Sequence, residues 1–179
     1  MAIFLCIIVM MKIKSILKDF IQVLLMSFVL VFILLKFIFM PCVVEGTSMN
    51  PILKDNDFGY SFIIARNIKI NRFDIAVIQV NNQADDKLLV KRVIGLPNEK
   101  VTYKNNRLYI NDELIDEYFL NDDVYTNDFE MLLGENEYCC LGDNRGVSRD
   151  SRSYGAFKQD SILSTHLFIV YPFSDFGFK

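Results

Sequence analysis

A chain of 179 residues, 52% of them hydrophobic and with a formal net charge of −3, has room for one folded domain and a membrane segment; its charge argues for no special partner, and no nucleic acid is expected. Four cysteines without a C-x-x-C pair or a Cys/His ligand spacing point away from a disulfide framework and from a structural zinc site. No cofactor or metal is expected.

Residues 1–19 open the chain. Ala2 to Met11 is apolar but too short to span a bilayer, and a start at Met10 or Met11 would leave a conventional short basic leader. Lys12, Lys14 and Lys18 follow, and Cys6 lies in the same region. Phe20 to Met40 then runs with Lys36 as its one formal charge. As a helix it would span about 30 Å, the thickness of a bilayer's hydrocarbon core. Lys36 sits near the far end, where its long side chain can reach the interface. The preceding lysines place the N-terminus in the cytoplasm, so residues 41–179 are expected outside the cell membrane. A removable leader fits less well, because Ile38-Phe39-Met40-Pro41 offers no small-x-small site, and Met40-Pro41 is a poor prelude to lipidation of Cys42.

Beyond Pro41 comes Glu45-Gly46-Thr47-Ser48-Met49-Asn50-Pro51. A serine between a glycine and a proline sits in irregular backbone at a surface, where a substrate can reach it. Short runs rich in Val, Ile, Phe and Tyr follow: Phe58–Ile64, Asp74–Val80, Leu88–Ile94, Val101–Tyr103, Arg107–Ile110, Glu137–Leu141 and Leu163–Tyr171. Asn, Asp, Gly and Pro clusters separate them, which reads as a mainly β domain. Asn105-Asn106 suits a tight hairpin turn, since asparagine tolerates positive φ. From Asn111 to Glu137 the chain carries ten acids and no Lys or Arg, and this block reads as a solvated surface excursion.

In Leu88–Pro97, strand alternation puts Leu89, Lys91 and Val93 on one face. A lysine between aliphatic neighbours has its pKa lowered by burial; lysine on an edge strand that blocks aggregation is the plain alternative. The stretch Leu141–Gly155 is dense in Asp, Ser, Asn and Arg, and bidentate Asp–Arg pairs can pin such a loop. His166, the single histidine, offers an alternative base for Ser48.

Taken together, Ser48 in G-x-S-M-x-P, Lys91 in K-R-V-I-G-L-P, and the G-D-N-R-x-x-S-x-D-S-R-x-x-G loop, in this order behind an N-terminal anchor, resemble the bacterial type I signal peptidases. The resemblance implies Ser48 as nucleophile, Lys91 as general base and Ser148 as the residue that orients the lysine. Asp143, Arg145, Asp150 and Arg152 would support the site. It implies a β-rich catalytic core with a small inserted second lobe, placed at about 100–136, and exported preproteins with N-terminal signal peptides as substrates. Met49, Ile75 and Val77 are candidate substrate-binding residues. The oxyanion donor would be the Ser48 N–H; Gly46 stands where some relatives carry a hydroxyl, so the second donor is open. Phe73 stands where a glycine is usual before Asp74, Asn98-Glu99 replace a common Gly-Asp, and Gly146-Val147 replace polar residues. Two other readings stand beside this one: a peptidase dedicated to a single secretion or conjugation substrate, and a catalytically silent, membrane-tethered β module. No oligomer is indicated, and a monomer is expected.

Overall fold

The computed structural model describes residues 2–64, 69–82, 85–121 and 123–179, with side chains from Met10 onward except at 81, 82, 85 and 86. Asp122 of the acidic block and the side chain of Cys6 lie outside the described residues. The chain divides into two units, Met1–Ile38 and Phe39–Lys179.

The first unit is helix α1, Ala2–Ile38, whose portion Met10–Ile38 is long and apolar enough to cross a membrane. Between Phe20 and Leu35 it carries no charged side chain and is apolar nearly all round, as a lipid-facing helix requires. The helix ends at Ile38, not at Met40. Phe39–Val43 is strand β1, because Pro41 cannot continue a helix and disfavours helical backbone before it. Proline is tolerated there because β1 is a sheet edge.

The second unit is β-rich, as the sequence implied. After β1 come β2 (Phe58–Phe62), β3 (Ile75–Asn82), β4 (Asp85–Gly95), β5 (Lys100–Lys104), β6 (Arg107–Ile110), β7 (Glu113–Ile115), β8 (Phe129–Leu132) and β9 (Glu137–Leu141). A single helical turn α2 (Ser151–Tyr154), β10 (Phe157–Lys158), β11 (Ile162–Tyr171) and β12 (Gly177–Phe178) complete it. The larger sheet has the order β1-β2-β11-β3-β4-β9-β10, with β12 on β11. The smaller sheet, β7-β6-β5-β8, is made entirely of residues between β4 and β9. Asn105 and Asn106 turn its β5–β6 hairpin with φ of 51° and 60°, the positive values that match the twist of the flanking strands.

Period-two patterning decides what each strand buries. On β3, Ala76 and Ile78 face one hydrophobic cluster with Val93, Cys140 and Ile162, while Ile75 faces another with Val44, Met49, Leu53, Leu167 and Ile169. On β4, Val93 joins the first cluster and Ile94 a third, with Val101, Tyr103, Leu108, Leu133, Cys139 and Leu141. Each fully buried aliphatic side chain contributes roughly 1.5–3 kcal/mol. Strands β3 and β4 thus lie at the centre of the larger sheet with apolar contacts on both faces. The residue that precedes Val93 on its own face of β4 is Lys91.

Candidate active site

Ser48 is carried on the connection between β1 and β2. The connection is closed at its base by two backbone bonds, Val44 N–H to the Asp57 carbonyl (2.8 Å) and Asn56 N–H to the Val44 carbonyl (2.8 Å). The Asp55 carboxylate accepts the Gly46 N–H at 2.7 Å, and Asp57 accepts the Lys54 N–H at 2.8 Å. Met49 and Leu53 are buried in the cluster beneath, and Ser48 stays half-buried above them. Gly46 has φ of +82°, a value that favours glycine, and open space where a Cβ would stand.

Lys91 reaches this turn from β4. Its side chain shares a face with Leu89 and Val93, and the residue is 3% exposed. Nζ lies 2.6 Å from Ser48 Oγ and 3.0 Å from the Val90 carbonyl. Burial lowers its pKa from 10.5 to about 8, against the opposing pull of Asp150, Asp143 and Cys140.

The 142–153 loop holds the two together. Asn144 donates its backbone N–H to the Ser48 carbonyl (3.0 Å) and its side-chain amide to the Thr47 carbonyl (3.2 Å). Gly142 packs so closely that a Cβ there would overlap Ser148 Oγ and the Ser48 carbonyl oxygen. Its N–H donates to Asp150 at 3.0 Å. Arg152 grips Asp150 with two bonds of 2.8 Å and the Arg145 carbonyl with a third. Burial pushes the Asp150 carboxyl up, and Arg152 with the Gly142 N–H overcomes that and holds it below the usual range.

The Asp–Arg pairing is not the one that sequence order suggests. Asp150 does pair with Arg152, but Asp143 pairs with Arg92 of β4, through bonds of 2.9 and 2.7 Å, and Arg92 also donates to the Phe73 carbonyl. Arg145 turns instead to the smaller sheet. It reaches Glu117 (2.5 Å), Tyr103 Oη (2.9 Å) and Thr126 Oγ1 (2.8 Å), and donates to the Gly142 carbonyl (3.1 Å). Glu117, read in sequence as solvated, is a half-buried ion-pair partner whose side chain is 11% exposed.

Ser148 Oγ is buried beside Gly142 and completes no hydrogen bond among the described residues, although it lies near enough to Asp150 to favour that carboxylate's ionised form. Met49, Ile75 and Val77 are each 1% exposed; Met49 and Ile75 share the cluster beneath the Ser48 turn, and Val77 lies two residues on from Ile75 in β3. His166 contacts Thr165 Oγ1 (3.0 Å) and Asp74 (3.6 Å), and makes no hydrogen bond to Ser48. Phe73 has φ of +73°, which accounts for the usual glycine at that position, and its ring packs edge-on against Phe119 and Tyr118.

Sequence reasoning missed Arg92, Glu117, Tyr103, Thr126 and Phe119. Arg92 was within reach. On a central strand the residue after an inward lysine points to the other face, and a buried guanidinium there needs a carboxylate. For Glu117 the sequence offers nothing, because its partner lies 28 residues away.

Comparison with known proteins adds an independent line. The family described as signal peptidase, peptidase S26, matches residues 17–171. Signal peptidase IB of Staphylococcus aureus (strain MRSA252) is 35% identical over 172 residues, covering 86% of this chain and 88% of its own. Signal peptidase I S of Bacillus subtilis (strain 168) is 36% identical over 177 residues, covering 92% and 94%. A crystal structure of a signal peptidase I from Enterococcus faecalis V583 superposes with a TM-score of 0.48 at 32% identity, over 54% of this chain and 96% of its own.

Proposed function

Since the chain belongs to the signal peptidase family, peptidase S26, we propose that it removes signal peptides from exported preproteins with Ser48 as nucleophile and Lys91 as general base. The observation that carries this reading is the 2.6 Å approach of a 3%-exposed lysine to a serine hydroxyl. A serine hydroxyl attacks only when a neighbouring group takes its proton. With a pKa of about 8, roughly a tenth of Lys91 is neutral at pH 7 and roughly nine tenths at pH 9.

In the first step Ser48 Oγ bonds to the scissile carbonyl carbon while its proton passes to Lys91 Nζ. The carbonyl electrons move onto oxygen, and the Ser48 backbone N–H, engaged by no acceptor among the described residues, is the donor that stabilises them. Collapse breaks the C–N bond, and the lysine gives its proton to the departing amine. Water, deprotonated by Lys91, then cleaves the acyl-serine and restores the hydroxyl. Ser148 has the role of orienting Lys91 during these transfers, its hydroxyl being buried at the loop beside Gly142 and Asp150. Asp143 through Arg92, Arg145 through Glu117, and Asp150 with Arg152 hold the frame.

The apolar helix makes this a single-pass membrane protein. The lysines at 12, 14 and 18 set the N-terminus on the cytoplasmic side, with the β-rich domain outside among emerging preproteins and the lipid surface. Small-x-small cleavage sites are the expected targets, with Met49, Ile75 and Val77 shaping the pocket from beneath. The relatives favour neither the silent module nor the single-substrate peptidase.

The test is cleavage of an exported preprotein with an Ala-x-Ala site, in detergent, from pH 6 to 10. The wild type should cut there with a rate rising to a midpoint near pH 8, and Ser48→Ala and Lys91→Ala should be inert. A rate that is flat across this range, with the chemical step limiting, would refute a lysine base. Survival in Lys91→Ala with loss in His166→Ala would transfer the role to the histidine.

A further inference from the structure

Ten acids lie between Asn111 and Glu137, and one of them behaves unlike a surface charge. Glu117 has a side chain only 11% exposed, and it meets an Arg145 side chain that is 0% exposed. Its Oε1 accepts from Arg145 at 2.5 Å and from Tyr103 Oη at 2.6 Å, so the carboxylate is bound on two sides. Two residues on, the Phe119 ring lies against the Arg92 guanidinium, 4.2 Å from carbon to ring centre, with Phe73 packed on it at 4.9 Å. Tyr118, between them, points to solvent. The segment after β7 therefore sets two side chains on the two arginines that frame the site.

Both arginines have a second hold within the active-site frame. Arg145 binds the Gly142 carbonyl, and Gly142 abuts Ser148 and the Ser48 carbonyl. Arg92 follows Lys91 in β4 and binds Asp143 bidentately. We propose that Glu117 and Phe119 are positioning residues, by which the inserted lobe fixes, through Arg145 and Arg92, the loop and strand that bring Ser48 and Lys91 together. The inference rests on the reading of those two residues as the catalytic pair.

The groups facing Lys91 are Asp143, Asp150 and Cys140, and those facing Glu117 are Arg145 and Tyr103. Glu117 contacts neither Lys91 nor Ser48, so a change there reaches the lysine through geometry. The lysine's burial is what lowers its pKa; a frame that loosens and admits water moves that pKa back up.

The experiment uses the full chain in detergent micelles and a preprotein with an Ala-x-Ala site. Active molecules are counted with a serine-acylating probe, and Tm is recorded for every variant. Glu117→Gln is expected to lower kcat per active site about 10- to 100-fold, as an ångström-scale misplacement does, with KM within about twofold. The midpoint of kcat/KM against pH should rise by about half a unit or more. Phe119→Leu should shift both in the same direction, Glu117→Asp should restore part of the loss, and the exposed Glu113→Gln should match the wild type. If Glu117→Gln does not fold, Glu117→Asp and Phe119→Leu carry the same test. Wild-type kcat per active site together with an unmoved midpoint overturns the proposal, as does a loss wholly explained by fewer folded molecules. Full activity in Lys91→Ala would refute the catalytic pair itself; an inert Lys91→Ala beside an unaltered Glu117→Gln removes only the positioning role.

Discussion

Replacing Lys91 by methionine should abolish cleavage and stabilise the fold, by an amount that depends on pH. The lysine is 3% exposed and titrates near 8 in the folded chain instead of 10.5. Between those values the unfolded chain holds a proton that the folded chain has released, so stability rises with pH through that window. Holding the charge inside costs the wild type roughly 3 kcal/mol at pH 7 and about 2 kcal/mol at pH 9, falling toward zero above the unfolded value. Methionine fills a similar volume and has no charge to bury. It forfeits the bonds to Ser48 Oγ and the Val90 carbonyl, about 1 kcal/mol each, a loss that does not vary with pH. The stability gap between Lys91→Met and wild type should therefore shrink by roughly 1 kcal/mol from pH 7 to pH 9, or about 2–4 °C in Tm. Urea unfolding of the full chain in micelles measures it, followed by tyrosine circular dichroism because the chain has eight tyrosines and no tryptophan. A gap that stays constant, or widens as pH rises, would refute a lysine held against its own charge.

Two further outcomes follow from the packing. Gly142→Ala drives a methyl group into Ser148 Oγ and the Ser48 carbonyl oxygen; cleavage should fall on the order of a hundredfold while binding, read as KM, changes little. Wild-type turnover in this variant would show that the loop does not set the serine's position. Phe73→Gly removes the left-handed strain of a bulky residue, about 1–2 kcal/mol, and also the ring contacts with Phe119 and Tyr118, worth roughly 0.5–1.5 kcal/mol each. Its stability should stay within about 1 kcal/mol of wild type, whereas Phe73→Ala, which keeps the strain and loses the rings, should be clearly less stable by urea unfolding.

Strands with alternating aliphatic residues were legible: Arg107–Ile110 and Glu137–Leu141 agree residue for residue, and the Asn105-Asn106 turn has the expected positive φ at both positions. Strand β1 was not, since Phe39–Val43 is as apolar as the helix before it and composition alone does not mark where helix becomes sheet. Short strands such as β10 and β12 carry too few residues to show a period. At the site, the motifs singled out Ser48 and Lys91 and also Asp143, Arg145, Asp150 and Arg152, and the structure brings Ser48 and Lys91 together; which acid each arginine pairs with was not legible. Arg145 could have paired with several acids on charge alone, and only the folded lobe selects Glu117 by burying both. Met49, Ile75 and Val77 were read as substrate-binding candidates, and the strand and turn bury all three.

The Ser48 turn is fastened mainly through its main chain: Asn144 takes the carbonyls of Thr47 and Ser48, and Asp55 takes the Gly46 N–H. Such attachments are blind to the side chains of the residues they hold. Thr47 and Glu45 are exposed, so they are free to drift while the serine keeps its address. Inheritance can then rework what an arriving peptide meets at this rim without redesigning the chemistry beneath it, and the same freedom makes these two positions the natural place to randomise when a changed cleavage preference is sought.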